Sequence, residues 1–354
     1  MIEIICSKCE ERVEDLTQWK CNSCNSPLKF DLNLPFDKRR INYSYNSLWR
    51  FKDYLCPSKI ISLGEGNTPL VKLNKECYLK LDYLNPTGSF KDRGASCMLS
   101  FLYKKIKDKI IVEDSSGNAG ASIACYSSRA NIKCKIFVPE DISPQKERQI
   151  RVFKAKLIKV RASREEIMEK AIEEANKKDH FYASHVWNPF FLLGNTTLAF
   201  ELLKYLKEVD RIFLPVSAGT LLLGLIYGLE KLLKDGIINK FPKIVACQVE
   251  EVSPLYHALK GLPYNPPKRV KTIADALIST KPVRLKEMVD ALKRIGGDCI
   301  IANDREILKA QRELAKRGFF VEPSSALAFA CYKKLKGYGK NIIILTGHGL
   351  KTYK

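Results

Sequence analysis

Two groups of residues in this chain have the types and spacing to do chemistry. The first is centred on Lys91, in the run Asn85-Pro86-Thr87-Gly88-Ser89-Phe90-Lys91-Asp92-Arg93-Gly94. Pro86 and Gly88 shape a turn, and Thr87 or Ser89 can cap a helix that the pattern predicts over about 89–107. Lys91 then lies on the first turn, where backbone dipoles and neighbouring cations make an ammonium less favourable. An amine that is neutral part of the time can form a Schiff base with an aldehyde. The second group is Cys6-x2-Cys9 and Cys21-x2-Cys24, with eleven residues between the two knuckles. That is the layout of a tetrahedral zinc site. A segment of about 35 residues has too little core to fold alone, so a metal would supply its folding energy. All four positions would be filled by cysteine, making such a zinc structural; redox-active or oxidised pairs are the other reading.

Elements must position these groups. An apolar β-prone stretch, Cys77 to Leu81, precedes the lysine run. Beyond it, short β-branched runs at 110–113, 134–139, 157–160, 212–216, 244–249 and 342–346 read as strands. They alternate with helical patterns at 119–130, 144–154, 164–177, 189–207, 220–234, 304–317 and 324–336. This alternation predicts parallel sheets covered by helices. Residues from about 31 to 60 read as an irregular linker, and 251–285, with five prolines, as a long functional loop. In open α/β sheets ligands collect beyond the carboxyl ends of strands. Three polar loops fall there: Ser115–Ala119, Ser217–Thr220 and Thr346–Gly349. In Val216-Ser217-Ala218-Gly219-Thr220, small residues open a helix whose first amides can bind a phosphate without a cation.

The lysine run resembles the cofactor-lysine segment of fold-type II pyridoxal phosphate (PLP) enzymes, and threonine synthases most closely. Ser62-Leu63-Gly64-Glu65-Gly66-Asn67-Thr68-Pro69-Leu70 is similar to the family's opening segment. Ser115-Ser116-Gly117-Asn118-Ala119-Gly120 resembles its substrate-carboxylate loop, and Thr346-Gly347-His348-Gly349-Leu350-Lys351 its carboxyl-terminal signature. The resemblance spans roughly residues 60–351. It implies a tryptophan synthase beta-like α/β fold of two three-layer domains with parallel sheets, preceded by a zinc ribbon of the kind many microbial threonine synthases carry. The expected partition is 1–36 for the ribbon, 37–98 with 193–354 for a large PLP-binding domain, and 99–192 for a smaller one. It further implies that Lys91 carries the cofactor and shuttles protons. Phe90 would pack on the ring, Asn118 bond the ring hydroxyl, Val216, Ser217, Ala218, Gly219 and Thr220 hold the phosphate, and Thr346 face the pyridine nitrogen. Ser115, Ser116, Gly117, Asn118 and Ala119 would hold the substrate carboxylate. Glu322 lines the site without a defined role, and His348 reads as part of a tight loop.

By resemblance the reaction is O-phosphohomoserine plus water to threonine plus phosphate. The anchoring of the substrate phosphate departs from the family. His185 and Val186 stand where Asn-Ser is expected, Phe191 where arginine is expected, and Ala119 where a threonine is frequent. These departures keep two alternatives open: a threonine or serine dehydratase, or a β-replacement enzyme such as a cysteine or cysteate synthase. A zinc-ribbon nucleic-acid-binding protein is a third.

Composition sets the outer bounds. The chain has 354 residues and is 45% hydrophobic, enough for two domains and an appendage. Lys and Arg number 60 against 39 acidic residues, a formal charge of +21. The lysines are spread along the chain, so a solvated basic surface that steers an anionic substrate is the reading, rather than nucleic-acid binding. No signal peptide and no run of 18 apolar residues is evident, which predicts a cytoplasmic protein without membrane association. The other eight of twelve cysteines read as small core hydrophobes. A homodimer is expected by analogy with the family.

Overall fold

The computed structural model describes residues 2–115, 117–162, 164–335 and 339–352. The described chain divides into two compact units: Met1–Asn67, Asn85–Thr87 and Lys91–Thr197 form the first, and Thr68–Leu84, Gly88–Phe90 and Leu198–Lys354 the second.

The first unit begins with a three-stranded antiparallel sheet. Ile2–Cys6 runs between Arg12–Val13 and Leu28–Leu32, with Ile4 opposite both Val13 and Phe30. Residues 31–60 are not a bare linker. They carry single turns at Lys38–Arg40, Leu48–Phe51 and Lys52–Leu55, and bury Leu48, Trp49 and Leu55 completely. A four-stranded parallel sheet follows, in the order Lys156–Val160, Cys134–Pro139, Ile110–Glu113, His180–Tyr182. Val112, Ile136 and Val138 are buried, as a sheet covered on both faces requires. Helices Lys91–Ile106, Asn118–Arg129, Pro144–Val152 and Arg164–Ala175, with the helix Pro189–Leu202 as far as Thr197, complete this unit. Trp19, from between the cysteine knuckles, packs edge-on against Tyr182 and Trp187, each with ring centres 5.2 Å away. The knuckle segment is thus joined to the parallel sheet's hydrophobic cluster of Val112, Phe137, Val160, Ile167 and Ala171.

The second unit is built on a six-stranded sheet, ordered Asp298–Ala302, Lys243–Val249, Arg211–Pro215, Asn341–Ile344, Cys77–Lys80, Leu70–Lys72. Five strands are parallel and the last edge strand is antiparallel. Its helices are Thr220–Lys234, Pro254–Lys260, Leu285–Arg294, Asp304–Lys316 and Pro323–Lys334. The proline-rich 251–285 stretch is in part helical: Pro254 occupies the first turn, where its missing N–H costs nothing, and Gly261 closes the helix with φ at 67°. Lys80 is 2% exposed, and its ammonium is satisfied by Glu201 Oε2 at 2.6 Å and the Thr68 carbonyl at 2.5 Å. Among the described residues no helix is long and apolar enough to cross a membrane.

The twelve cysteines are free thiols. Burial pushes Cys77 and Cys134 up to about 12 and raises Cys97, Cys247 and Cys299 well above the ordinary range. Such thiols stay protonated and pack as small hydrophobes, as the sequence leads one to expect, except that Cys56 is exposed and not part of the core.

Candidate active site and cysteine cluster

In the first unit, Lys91 is the first residue of the helix Lys91–Ile106. Ser89, one of the two expected caps, makes no side-chain hydrogen bond. Asp92 reaches back to accept the Thr87 N–H at 2.7 Å and the Thr87 hydroxyl at 2.6 Å, and it also takes the Ser122 hydroxyl at 2.6 Å. Asp92 is fully buried, so these charge-assisted bonds act without solvent competition. They tie the 85–87 turn, the first turn of the Lys91 helix and the helix Asn118–Arg129 into one assembly. One turn further along, Ser96 donates to buried Glu65 at 2.5 Å. Glu65 also takes the Trp49 indole N–H and the Tyr126 hydroxyl, both at 2.8 Å. Burial, with Asp92 and Glu65 nearby, raises Tyr126 well above its ordinary value, so the phenol stays a donor. Asp92 and Glu65 are positioning residues that composition and local pattern did not single out; only the position of Glu65 within the Ser62–Leu70 run hinted at one.

Phe191 packs against the Lys91 helix. The Gly94 backbone lies against the ring so closely that an alanine Cβ would overlap it. Lys91 Nζ stands 5.7 Å from that ring centre, and the His185 imidazole 5.9 Å from it in an edge arrangement. His185 Nδ1 is 2.7 Å from Glu113 Oε1, and its backbone N–H donates to Glu113 Oε2 at 3.2 Å. The loop 115–119 follows the Ile110–Glu113 strand; Ser115 Oγ accepts the Gly117 N–H at 3.3 Å, and Asn118 and Ala119 open the next helix, both buried. Ser116 lies outside the described residues. Val186 is half-buried, while Phe191 is wholly buried.

In the second unit, Val216 ends its strand with its N–H on the Cys247 carbonyl at 2.9 Å. Ser217 and Ala218 are half-buried, and Ser217 Oγ accepts the Ser279 N–H at 3.3 Å. Gly219 begins the helix Thr220–Lys234 in the left-handed region, φ 90°, with no side-chain cap on the helix. A side chain at 219 would be strained by that φ and would also run into Met288. Thr346 is 4% exposed; its N–H donates to Ser325 Oγ at 2.8 Å and its carbonyl accepts the Phe90 N–H at 3.0 Å. Both backbone groups of Thr346 are thus engaged within the protein. Glu322 backs Gly347 so closely that only glycine fits there, which gives it a bracing position. His348 caps the last turn, its Nδ1 accepting the Leu350 N–H at 3.1 Å, and stacks edge-on against Tyr83. Burial lowers its pKa, which suits a structural part of the loop.

Comparison with known proteins decides what these parts belong to. Residues 61–347 match the family described as pyridoxal-phosphate dependent enzyme. The chain belongs to that family. It is similar to the threonine synthase of Methanocaldococcus jannaschii, 34% identical over 330 residues, or 86% of this chain and 80% of the relative. The threonine synthase of Methanosarcina acetivorans is 28% identical over 99% of this chain and 92% of its own. The structure of the processed form of threonine deaminase isoform 2 from Solanum lycopersicum shares the fold, with a TM-score of 0.66 and 22% identity over 77% of this chain and 74% of that one. The fold is that of fold-type II PLP enzymes, and the protein is a PLP-dependent enzyme.

The residues present fit that cofactor. A phosphate needs unspent backbone donors, and the Thr220–Lys234 helix starts without a side-chain cap behind a loop of small residues. The buried Ser89 hydroxyl, two residues before Lys91, has no hydrogen-bond partner. A buried hydroxyl left so costs about 1–3 kcal/mol unless a water or a ligand group meets it, and a bound cofactor is compatible with that.

The cysteine cluster also fits its expected metal. The Sγ atoms of Cys6, Cys9, Cys21 and Cys24 lie within 4.8 Å of one another. Cys6–Cys24, Cys9–Cys21 and Cys9–Cys24 separations are 3.4, 3.6 and 3.6 Å. Four sulfurs at about 2.3 Å from a tetrahedral zinc would be about 3.8 Å apart. Backbone N–H groups of Lys8 and Cys9 point at Cys6 Sγ from 3.3 and 3.4 Å, placing donors where thiolate charge would sit.

Proposed function

We propose that this protein is a threonine synthase-like PLP-dependent lyase, converting O-phosphohomoserine and water into threonine and phosphate. The observation that carries it is the alignment with a threonine synthase over 99% of the chain, a length that takes in the cysteine knuckles as well as the catalytic fold. When bound, PLP supplies an electron sink for charge developed at the substrate α carbon. Lys91 would hold the cofactor, and its Nζ would move protons during the reaction. In the first unit Asn118 bonds the ring hydroxyl, and Ser115, Ser116, Gly117, Asn118 and Ala119 bind the substrate carboxylate at a helix start. In the second, Phe90 packs on the ring and Val216, Ser217, Ala218, Gly219 and Thr220 take the phosphate. Thr346 would offer the pyridine nitrogen a neutral hydroxyl, which would not hold a proton there. Zinc on Cys6, Cys9, Cys21 and Cys24 is structural. The substrate is an anionic amino acid, and cytoplasmic location and a homodimer follow from the family resemblance.

The wholly buried Phe191, in the place of a phosphate-binding arginine, supports a second reading: dehydration of threonine or serine. Supplying purified holoprotein with O-phosphohomoserine, threonine, serine and O-phosphoserine separates the two. Equimolar threonine and phosphate from the first substrate is the expected result. A keto acid from threonine or serine, with O-phosphohomoserine untouched, overturns it.

A further inference from the structure

The Glu113–His185 pair has no part in the assignments above. Glu113 is fully buried at the carboxyl end of the Ile110–Glu113 strand, and His185 follows the neighbouring parallel strand His180–Tyr182. Ligands collect at this end of such a sheet. Nδ1 and Oε1 stand at hydrogen-bond distance, 2.7 Å, and the second bond, from the His185 N–H, fixes the carboxylate's orientation. In such a pair the carboxylate orients the imidazole and stabilises the imidazolium when it forms, and the other nitrogen carries any proton transfer. Beside the ring stands Phe191, from the helix Pro189–Leu202, and the same phenyl group has Lys91 Nζ, from the start of the helix Lys91–Ile106, 5.7 Å from its centre. Charged groups on the elements packed here include Glu113, the buried Asp114 that follows it and bonds the Tyr182 hydroxyl, and Lys91. An anchor for a phosphate dianion would be poorly served here, since Glu113 cancels an imidazolium's charge and Phe191 offers no donor.

We propose that His185 is a catalytic proton-transfer residue, acting on the water that adds to the substrate β carbon, with Glu113 as its positioning residue. This rests on the threonine synthase-like reading. One O–H bond of the water breaks and a C–O bond forms at the β carbon of the unsaturated substrate, whose double-bond electrons move to the α carbon. The water's proton passes to the imidazole and then to solvent. The α carbon takes its proton from the Lys91 ammonium, which is replenished from solvent, so no co-reactant is required. Placing the hydroxyl at a fixed side of the β carbon is the specificity this residue adds.

The test uses holoprotein and the variants H185N and E113Q. Asparagine keeps an N–H directed at Glu113 and cannot take a proton. With the visible cofactor band unchanged, H185N is expected to lower kcat for O-phosphohomoserine by about 10²–10⁴, with KM moving less than threefold and one limb of the kcat–pH profile lost. E113Q is expected to shift that limb and lower kcat less. Independently of turnover, ¹⁵N-histidine spectra of the holoprotein, assigned by the signal missing in H185N, are expected to show the His185 ring nitrogens responding to added threonine. A raised KM with kcat kept makes His185 an anion anchor and overturns the proposal. So does full activity in H185N, or ring signals indifferent to threonine. Should wild-type protein leave O-phosphohomoserine untouched, the functional reading fails by itself; the ring signals, read with added threonine and serine, still decide whether His185 meets the substrate.

Discussion

Replacing Asp92 by asparagine removes a charge from the assembly that fixes the start of the Lys91 helix. Three bonds converge on this carboxylate, from Thr87 N–H, Thr87 Oγ1 and Ser122 Oγ, at 2.7, 2.6 and 2.6 Å. A hydrogen bond to a charged group contributes about 1.5–3 kcal/mol and a neutral one about 0.5–1.5. The amide can flip to keep its oxygen on the Thr87 N–H while the two hydroxyls turn to accept from its NH2. The loss is then about 1 kcal/mol for each of three bonds, or about 3 kcal/mol in all. Alanine strands the buried Thr87 N–H as well and adds a cavity, for about 3–5 kcal/mol. Because the chain holds two units that need not unfold together, the readout is local: amide hydrogen exchange of peptides covering 85–106. Three kcal/mol is about a 150-fold faster exchange where opening of this assembly governs it. The visible band of the lysine-bound cofactor should weaken in parallel, since Lys91 is the adjacent residue. Unchanged exchange over 91–106 in both variants would refute the reasoning.

Three further outcomes concern the first unit. Trp19→Ala removes two edge-on aromatic pairs at about 0.5–1.5 kcal/mol each, so a double-mutant cycle with Trp187→Ala should show coupling of about 0.5–1.5 kcal/mol; zero coupling would mean that the knuckle segment does not brace residues 182–187. Native mass spectrometry should find one zinc per chain, absent from C6S and lost to a strong chelator, with the 2–32 sheet losing exchange protection at the same time. Glu174 is held down to about 2, first by its hydrogen bond from Lys135 and then by Lys177. A lowered carboxyl pKa gives stability that is full above the ordinary 4.5 and is lost as pH falls toward about 2, so K135M should flatten the acid limb of an unfolding titration between those values.

The alternating strands and helices were readable because buried parallel strands are short β-branched runs. Cys134–Pro139 and Ile110–Glu113 coincide with their expected spans. Asp298–Ala302 escaped because it opens on an acidic residue after two glycines, and His180–Tyr182 because three residues carry no periodicity. Leu285–Arg294 was hidden by prolines and charges, though Met288, Ala291 and Leu292 bury one face at helical spacing. At the site, local order was legible: Lys91 does open a helix, and residues 216–220 do pass from strand to helix. The carboxylates that hold these parts were not. Glu113 meets His185 across 72 positions, and Glu65 meets Ser96 and Tyr126 across 31 and 61, pairings that only the folded sheet order creates. The Asp92 partner of the Thr87 hydroxyl was hidden for the same reason, because the sequence does not reveal that Asp92 is buried.

Borohydride reduction of the holoprotein followed by peptide mapping tests the central claim most directly. The account requires one reduced cofactor adduct per chain, on Lys91, and loss of the visible band in K91A. An adduct on another lysine, or none in protein purified with vitamin B6 present, contradicts it.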